Sequence, residues 1–314
     1  MMKFKGTREA FTAALLDIAK EDKRVMFVSP DSLKAMRGTD FAEKFPESYV
    51  EVGIAEQNAV AVAAGLASCG QIPFIGTYSG FLTMRACEQM RTFVAYPNLN
   101  VKFVGINSGL SGGEREGVTH QFYEDLGILS SIPNFTIFTP ADGNQTYHAI
   151  KEAFKIDGPV YIRAGSGREV DVYEKEVPFN MDGVNVLREY GTDTLILASG
   201  FILSRVLKAA DLLEKEGIKV IVGDVNILNN KNNEKLLQLM SKTNKIITVE
   251  DHNVNGGLGS FISKLACENR PTYVKRIALN SFGESGPADE LLDKYGFSPE
   301  EIANTVKENI KNEI

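Results

Sequence analysis

Three segments of this 314-residue sequence hold residues whose types and spacing suit proton transfer and ligand stacking. The first is EVGIAEQNAVAVAAGLASCG (51–70), where the apolar run VGIA leads into a helix of small residues with Glu56 in its first turn. A carboxyl there complements the helix dipole. If it is buried, it can also exchange a proton with a bound base. Gly65 lies inside that helix at a cost of about 1 kcal/mol against alanine, so a second helix is expected to pack closely on it. The second segment, IPFIGTYSGFLTMRACEQMR (72–91), puts Tyr78 and Phe81 between a strand and a helix. They are either core aromatics or π-faces for a ligand, and ligands of open α/β sheets sit beyond the carboxyl ends of strands. The third is the polar, glycine-rich loop NSGLSGGEREGVTHQ (107–121), with Glu116 and His120. Loops of this length inside compact domains usually have a function, and an imidazole titrates near physiological pH.

These residues need rigid elements to hold them. Short apolar runs alternate with helical stretches: VMFVS, IPFIGTY, NVKFVGIN, FTIFTPAD and PVYIRA, then a second series of DTLILASG, IKVIVGDV, NKIITVED and TYVKRIAL. Near-continuous apolar strands joined by helices predict parallel sheets covered on both faces, an α/β class with two doubly wound domains. The glycine-bearing, charge-rich stretch GSGREVDVYEKEVPFNMDG separates the series and reads as a linker. The expected division is domain one at 1–165, a linker at 166–183 and domain two at 184–314. SPEEIANTVKENIKN near the end reads as a capped surface helix. GGLG (256–259) opens another helix and weakly suggests an anion at its N-terminus.

Bulk properties exclude several classes. A net charge of −7 with a pI near 5.2 argues against nucleic acid as a main partner, because phosphate binding needs a basic face. No apolar run approaches a membrane span. Cys69, Cys87 and Cys267 lie far apart and form neither a disulfide framework nor a metal-ligand spacing, which fits a reducing, cytoplasmic setting.

GIAEQN, the aromatics five and eight residues past Pro73, the RACEQMR helix and THQ follow one another in an order that resembles the transketolase family over nearly the whole chain. The resemblance implies a pyrimidine-binding domain followed by the transketolase C-terminal domain, with thiamine diphosphate as cofactor. It gives Glu56 the role of the acid that hydrogen-bonds N1′ of the aminopyrimidine and promotes the tautomer that takes the C2 proton. Tyr78, with Phe81 following, stands where the family stacks an aromatic on that ring. His120 stands where a histidine contacts substrate oxygens, Glu116 where an acid reads hydroxyl stereochemistry, and Asp31 where an aspartate lies near cofactor and substrate. For Asp31 a plain turn or cap role stays equally open.

The family binds diphosphate through Mg2+ or Ca2+ held by a GDG motif and a downstream asparagine, and no GDG occurs in this sequence. The resemblance is therefore to the C-terminal subunit of a split transketolase. Its metal ligands would be on an N-terminal partner subunit, and the assembly is expected to be a heterotetramer. Two positions depart from the family pattern: Asn107 replaces a histidine and Ser166 replaces an arginine, both used for the substrate's terminal phosphate. Losing that charge weakens phosphate binding and points to a ketose ending in a singly charged group, with sulfofructose the leading candidate. Arg85, Arg163 and Arg168, or the nearby Lys34 and Arg37, are candidates to compensate. Alternatives are a deoxyxylulose-phosphate-synthase-like enzyme, the β subunit of a 2-oxoacid dehydrogenase, and an assembly subunit without catalysis.

Overall fold

The computed structural model describes residues 4–114, 116–173 and 177–311, so Arg115 of the histidine loop and residues 174–176 of the expected linker lie outside the described residues. Twelve strands occur among them: β1 (Val25–Ser29), β2 (Tyr49–Glu51), β3 (Ile72–Tyr78), β4 (Lys102–Ile106), β5 (Thr136–Phe138), β6 (Val160–Arg163), β7 (Asn185–Glu189), β8 (Thr194–Ala198), β9 (Val220–Asp224), β10 (Ile227–Leu228), β11 (Lys245–Asn253) and β12 (Tyr273–Leu279). They form two sheets, ordered β10-β5-β6-β4-β3-β1-β2 and β12-β11-β8-β9-β7. Every pairing is parallel except those of β10 with β5 and β7 with β9.

The apolar runs read in the sequence all become strands, and β3, β4, β6, β8 and β9 are buried along nearly their whole length. Burial on both faces explains why they lack a two-residue alternation. β2, β7 and β10 lie outside those runs. β10 comes from the second half of the chain and closes the edge of the first sheet, pairing Ile227 with Phe138 and Leu228 with Ile137. Among the described residues no helix is long and apolar enough to cross a membrane.

The stretch expected as a linker is fastened rather than free. The amides of Val172 and Tyr173 both donate to Asp142 Oδ2, at 2.9 and 2.8 Å. The Tyr173 hydroxyl donates to the buried Asp224 carboxylate, and Phe179 packs on Phe138 with ring centroids 4.6 Å apart. Composition alone hides these anchors, because each is a single side chain in a polar run. The final helix, Pro299–Lys311, starts as its sequence predicts, with Ser298 Oγ accepting from the Glu301 amide at 3.2 Å. The N-terminus opened by GGLG holds an internal carboxyl: the Leu258 and Gly259 amides donate to Glu250 at 2.6 and 2.8 Å. Glu250 takes the place an external anion would use.

Candidate active site

The parallel strands of the first sheet bring the candidate residues to one edge. Tyr78 ends β3 and pairs in register with Ile106, so Asn107 follows directly beside it. Arg163 ends β6 opposite Gly105, and the Asn107 amide donates to Gly165 O at 3.1 Å. Asp31 follows β1, where Glu51 Oε1 accepts its amide at 2.7 Å and holds it at a φ of 54°. This is the carboxyl edge, where open α/β sheets bind ligands.

Glu56 begins the helix Glu56–Ser68 and is 5% exposed. Its Oε1 accepts from Arg85 Nη1 at 3.0 Å, and Gln57 Nε2 donates to the Arg85 carbonyl. The Arg85 guanidinium also lies 3.8 Å over the Phe81 ring, a cation–π contact. From Phe81 the contacts run on to His120 (centroids 5.1 Å) and Phe122 (5.1 Å), and Tyr78 meets both Phe81 (5.5 Å) and His120 (5.4 Å). Gly80 makes this packing possible, since a Cβ there would fall 1.8 Å from Phe122. Thr119 Oγ1 lies 3.1 Å from His120 Nδ1. A near-buried carboxylate, two aromatic faces and an imidazole thus form one connected group, although Glu56 and His120 are far apart in sequence.

Asn107 leads to a residue that sequence reasoning missed. Its Oδ1 accepts from Arg8 Nη2, and Arg8 also donates to the Ala35 carbonyl at 3.2 Å. Arg8 packs against Gly167, and burial lowers the guanidinium's pKa from its usual value without discharging it. Its signal is present in the sequence: a cation in the first turn of the helix Thr7–Glu21 opposes the helix dipole. Ser166 lies half-buried in the same bend.

Other candidates fall elsewhere. Arg163 is not available to a ligand. It is 3% exposed, with Nε donating to Asp125 at 3.0 and 3.2 Å and Nη2 to the Asp251 carbonyl at 2.9 Å. Arg85 belongs to Glu56, not to the Asn107 end. Arg168 is exposed and paired with Glu114, and Glu116 is exposed on the loop. Among the described residues Gly65 has no atom within 4 Å of where its Cβ would be, so none of them supplies the helix expected to pack on it. Ile54 (75% exposed) and Tyr96 (85%) also lack cover. Among the described residues no group of three His, Cys, Asp or Glu side chains could hold a metal ion.

Comparisons with known proteins bear on the family of the chain. A family model for the transketolase pyrimidine-binding domain matches residues 5–167, and one for the transketolase C-terminal domain matches 182–302. The sequence is 35% identical over 302 residues to a 6-deoxy-6-sulfo-D-fructose transketolase subunit of Clostridium sp. (strain MSTE9), covering 96% of this chain and 93% of that one. It is 34% identical over 306 residues to one of the subunits of an apulose-4-phosphate transketolase of Phocaeicola vulgatus, covering 97% of each. A solved structure described as a split gene transketolase, an inactive beta4 tetramer, superposes with a TM-score of 0.87 at 36% identity, covering 97% of this chain and 98% of that one. The two relatives are named for different sugars at nearly equal identity, so similarity alone selects no substrate.

Proposed function

We propose, from the premise that this chain belongs to the transketolase family, that it is the pyrimidine-binding half of a two-chain enzyme moving a two-carbon ketol unit from a ketose to an aldose. The observation that carries this reading is the connected group Glu56–Arg85–Phe81–His120–Tyr78 at the carboxyl edge of the first sheet. Family membership implies thiamine diphosphate, which when bound supplies the carbon nucleophile and electron sink. The residues present fit its aminopyrimidine end: a carboxyl for the ring nitrogen and aromatic faces for the ring. They do not fit its diphosphate, for which the sequence has no GDG. We assign the diphosphate and its Mg2+ or Ca2+ to an N-terminal partner subunit.

In this reading Glu56 holds the aminopyrimidine and moves the proton at N1′. Its partner Arg85, 48% exposed at the side chain, can turn to solvent while the ring takes over the hydrogen bond to Glu56. Tyr78 and Phe81 offer π-faces and keep water from the ring. His120, with Nδ1 beside Thr119, presents Nε2 to substrate oxygens, and Glu116 meets a sugar hydroxyl. Asp31 stands beside the cofactor's path. The bare glycine at 65 and the exposed Ile54, Met84, Phe93 and Tyr96 support the docking of further chains, which we read as a heterotetramer working in the cytoplasm.

At the substrate's far end, Arg8 is held against Asn107, and Ser166 offers a hydroxyl. One anchored cation with neutral donors suits a singly charged sulfonate better than a phosphate dianion, and the Clostridium relative is named for such a sugar. The test is competition between 6-deoxy-6-sulfofructose and fructose 6-phosphate as donors to glyceraldehyde 3-phosphate, in the assembled enzyme. The sulfonate should win, and Asn107→His with Ser166→Arg should raise kcat/KM for the phosphate by about tenfold or more. A wild-type preference for phosphate would contradict the sulfonate reading. His120→Ala should lower kcat and kcat/KM together while cofactor affinity holds. Lost cofactor affinity with normal turnover at saturation would remove His120 from the substrate.

A further inference from the structure

The loop that carries Glu116 and His120 belongs to the first domain, yet one strand of the second domain grips both of its ends. At the start, Asp251 Oδ1 accepts from the Leu110 amide at 2.7 Å. At the end, the Asn253 amide donates to the Tyr123 carbonyl at 2.6 Å. Both residues close β11. The loop's ends are themselves tied together, because the Gly109 amide donates to the Phe122 carbonyl at 2.5 Å. Between them, Gln121 Nε2 donates to the Glu284 carbonyl, and the Gly286 amide donates to the Glu114 carbonyl, both at 2.9 Å.

Asp251 is suited to fixing this loop. It is 1% exposed, and its own carbonyl is held by Arg163, which is locked to Asp125. The carboxylate therefore projects from a rigid base. The loop accommodates it through Gly109, whose φ is 83° and whose Cβ would fall 2.1 Å from Asp251 Oδ2. Any other residue at 109 would push the carboxylate away and meet a backbone conformation that side chains disfavour. A buried hydrogen bond from an amide to a carboxylate is among the stronger ones available.

We propose that Asp251 is a positioning residue: from the second domain it fixes the start of the histidine loop and so sets where the His120 imidazole meets the substrate. This rests on His120 acting in turnover, as read above. It gives the C-terminal domain a part in the chemistry beyond assembly.

The test uses the assembled two-chain enzyme and reads loop order and kinetics separately. Asp251→Ala should speed amide hydrogen exchange over residues 107–123 by at least about tenfold, with the helix Leu203–Lys215 unchanged as the internal control. It should lower kcat by about ten- to a hundredfold with cofactor affinity within about twofold, because a small displacement of a catalytic group has effects of that size. Asp251→Asn keeps an acceptor for Leu110 and should restore both readouts to within about threefold of wild type. If Asp251→Ala does not assemble, Gly109→Ala attacks the same contact from the loop and should raise exchange over the same residues. Unchanged loop exchange overturns the proposal, as do loop and control helix loosening together, faster exchange with intact kcat, or an asparagine that behaves like alanine. A His120→Ala variant with normal turnover would instead sink the functional reading of the loop and leave the exchange result standing.

Discussion

Two arginine–carboxylate pairs lie on the same side of the first sheet and differ in almost everything else. Arg85 with Glu56 sits at an open edge, its guanidinium 48% exposed and flanked by apolar side chains without cover. Arg163 with Asp125 sits in the seam between the domains, 3% and 0% exposed, and further bonds join it to Tyr161 and Asp251. The chemistry is shared, and the surroundings decide its use. A pair whose cation is half-exposed can trade that cation for a ligand that takes over its hydrogen bond to the buried carboxyl, whereas a pair buried on both sides cannot lose a partner without stranding a charge. The open edge is an unfinished site and the seam is a finished one.

The largest effect should come from the open edge. Glu56→Gln keeps the shape of the side chain but cannot move a proton, so hydrogen–deuterium exchange at the cofactor's C2 in the assembled enzyme should slow by about two to four powers of ten. An unchanged rate would return Glu56 to a helix-dipole role and remove the contrast. In the seam, Arg163→Met leaves Asp125 buried and unpaired, and chemical denaturation should show a loss of about 3–5 kcal/mol. A loss below about 1 kcal/mol would place this pair with ordinary surface bridges.

The seam also predicts a pH dependence. Burial pushes the Glu250 carboxyl up to about 7 from 4.5. Between those values the folded chain holds a proton that the unfolded chain has released, so stability through this group falls as pH rises across the window and is level above it. His252 runs the other way: burial lowers it to about 4 from 6.5, so its contribution grows as pH rises across that range. Its neutral form agrees with its bonds, as Nδ1 lies 2.8 Å from the Asn253 carbonyl and Nε2 accepts from the Gly127 amide. Comparing wild type with Glu250→Gln isolates the first effect. The stability difference, wild type minus variant, should fall by about 1–3 kcal/mol from pH 4.5 to 7. A rise would contradict the assignment. The smallest effect is expected for Arg85→Ala, about 1–2 kcal/mol, because the guanidinium is half-exposed although the Glu56 carboxyl that it leaves is not. A larger loss would mean that the open edge is already a completed structure without its ligand.

The two regions are not equally legible in the sequence. Glu56, Tyr78, Phe81 and His120 can be found because each sits inside a local pattern: a strand end, a helix start or a long glycine-rich loop. Long apolar runs reveal the sheets, since burial on both faces leaves a continuous signal. The seam cannot be read in the same way. Asp125, Arg163 and the adjacent pair Asp251 and His252 come from three separate segments, and no spacing links those segments. Arg163 reads as a ligand in the sequence for that reason, because exposure is a property of the fold. Arg8 gives only a faint signal, a cation opposing a helix dipole. Gly65 reads as a place of close approach, and the described residues do not supply the neighbour.

The claim that the open edge awaits another chain is tested most directly by calorimetric titration of thiamine diphosphate and magnesium into this protein, alone and with a chain carrying the diphosphate-binding domain, with ketol transfer measured on the same samples. The protein alone should bind weakly and turn over nothing, and the mixture should bind tightly and transfer ketol units. Tight binding and turnover by this chain alone would contradict the account.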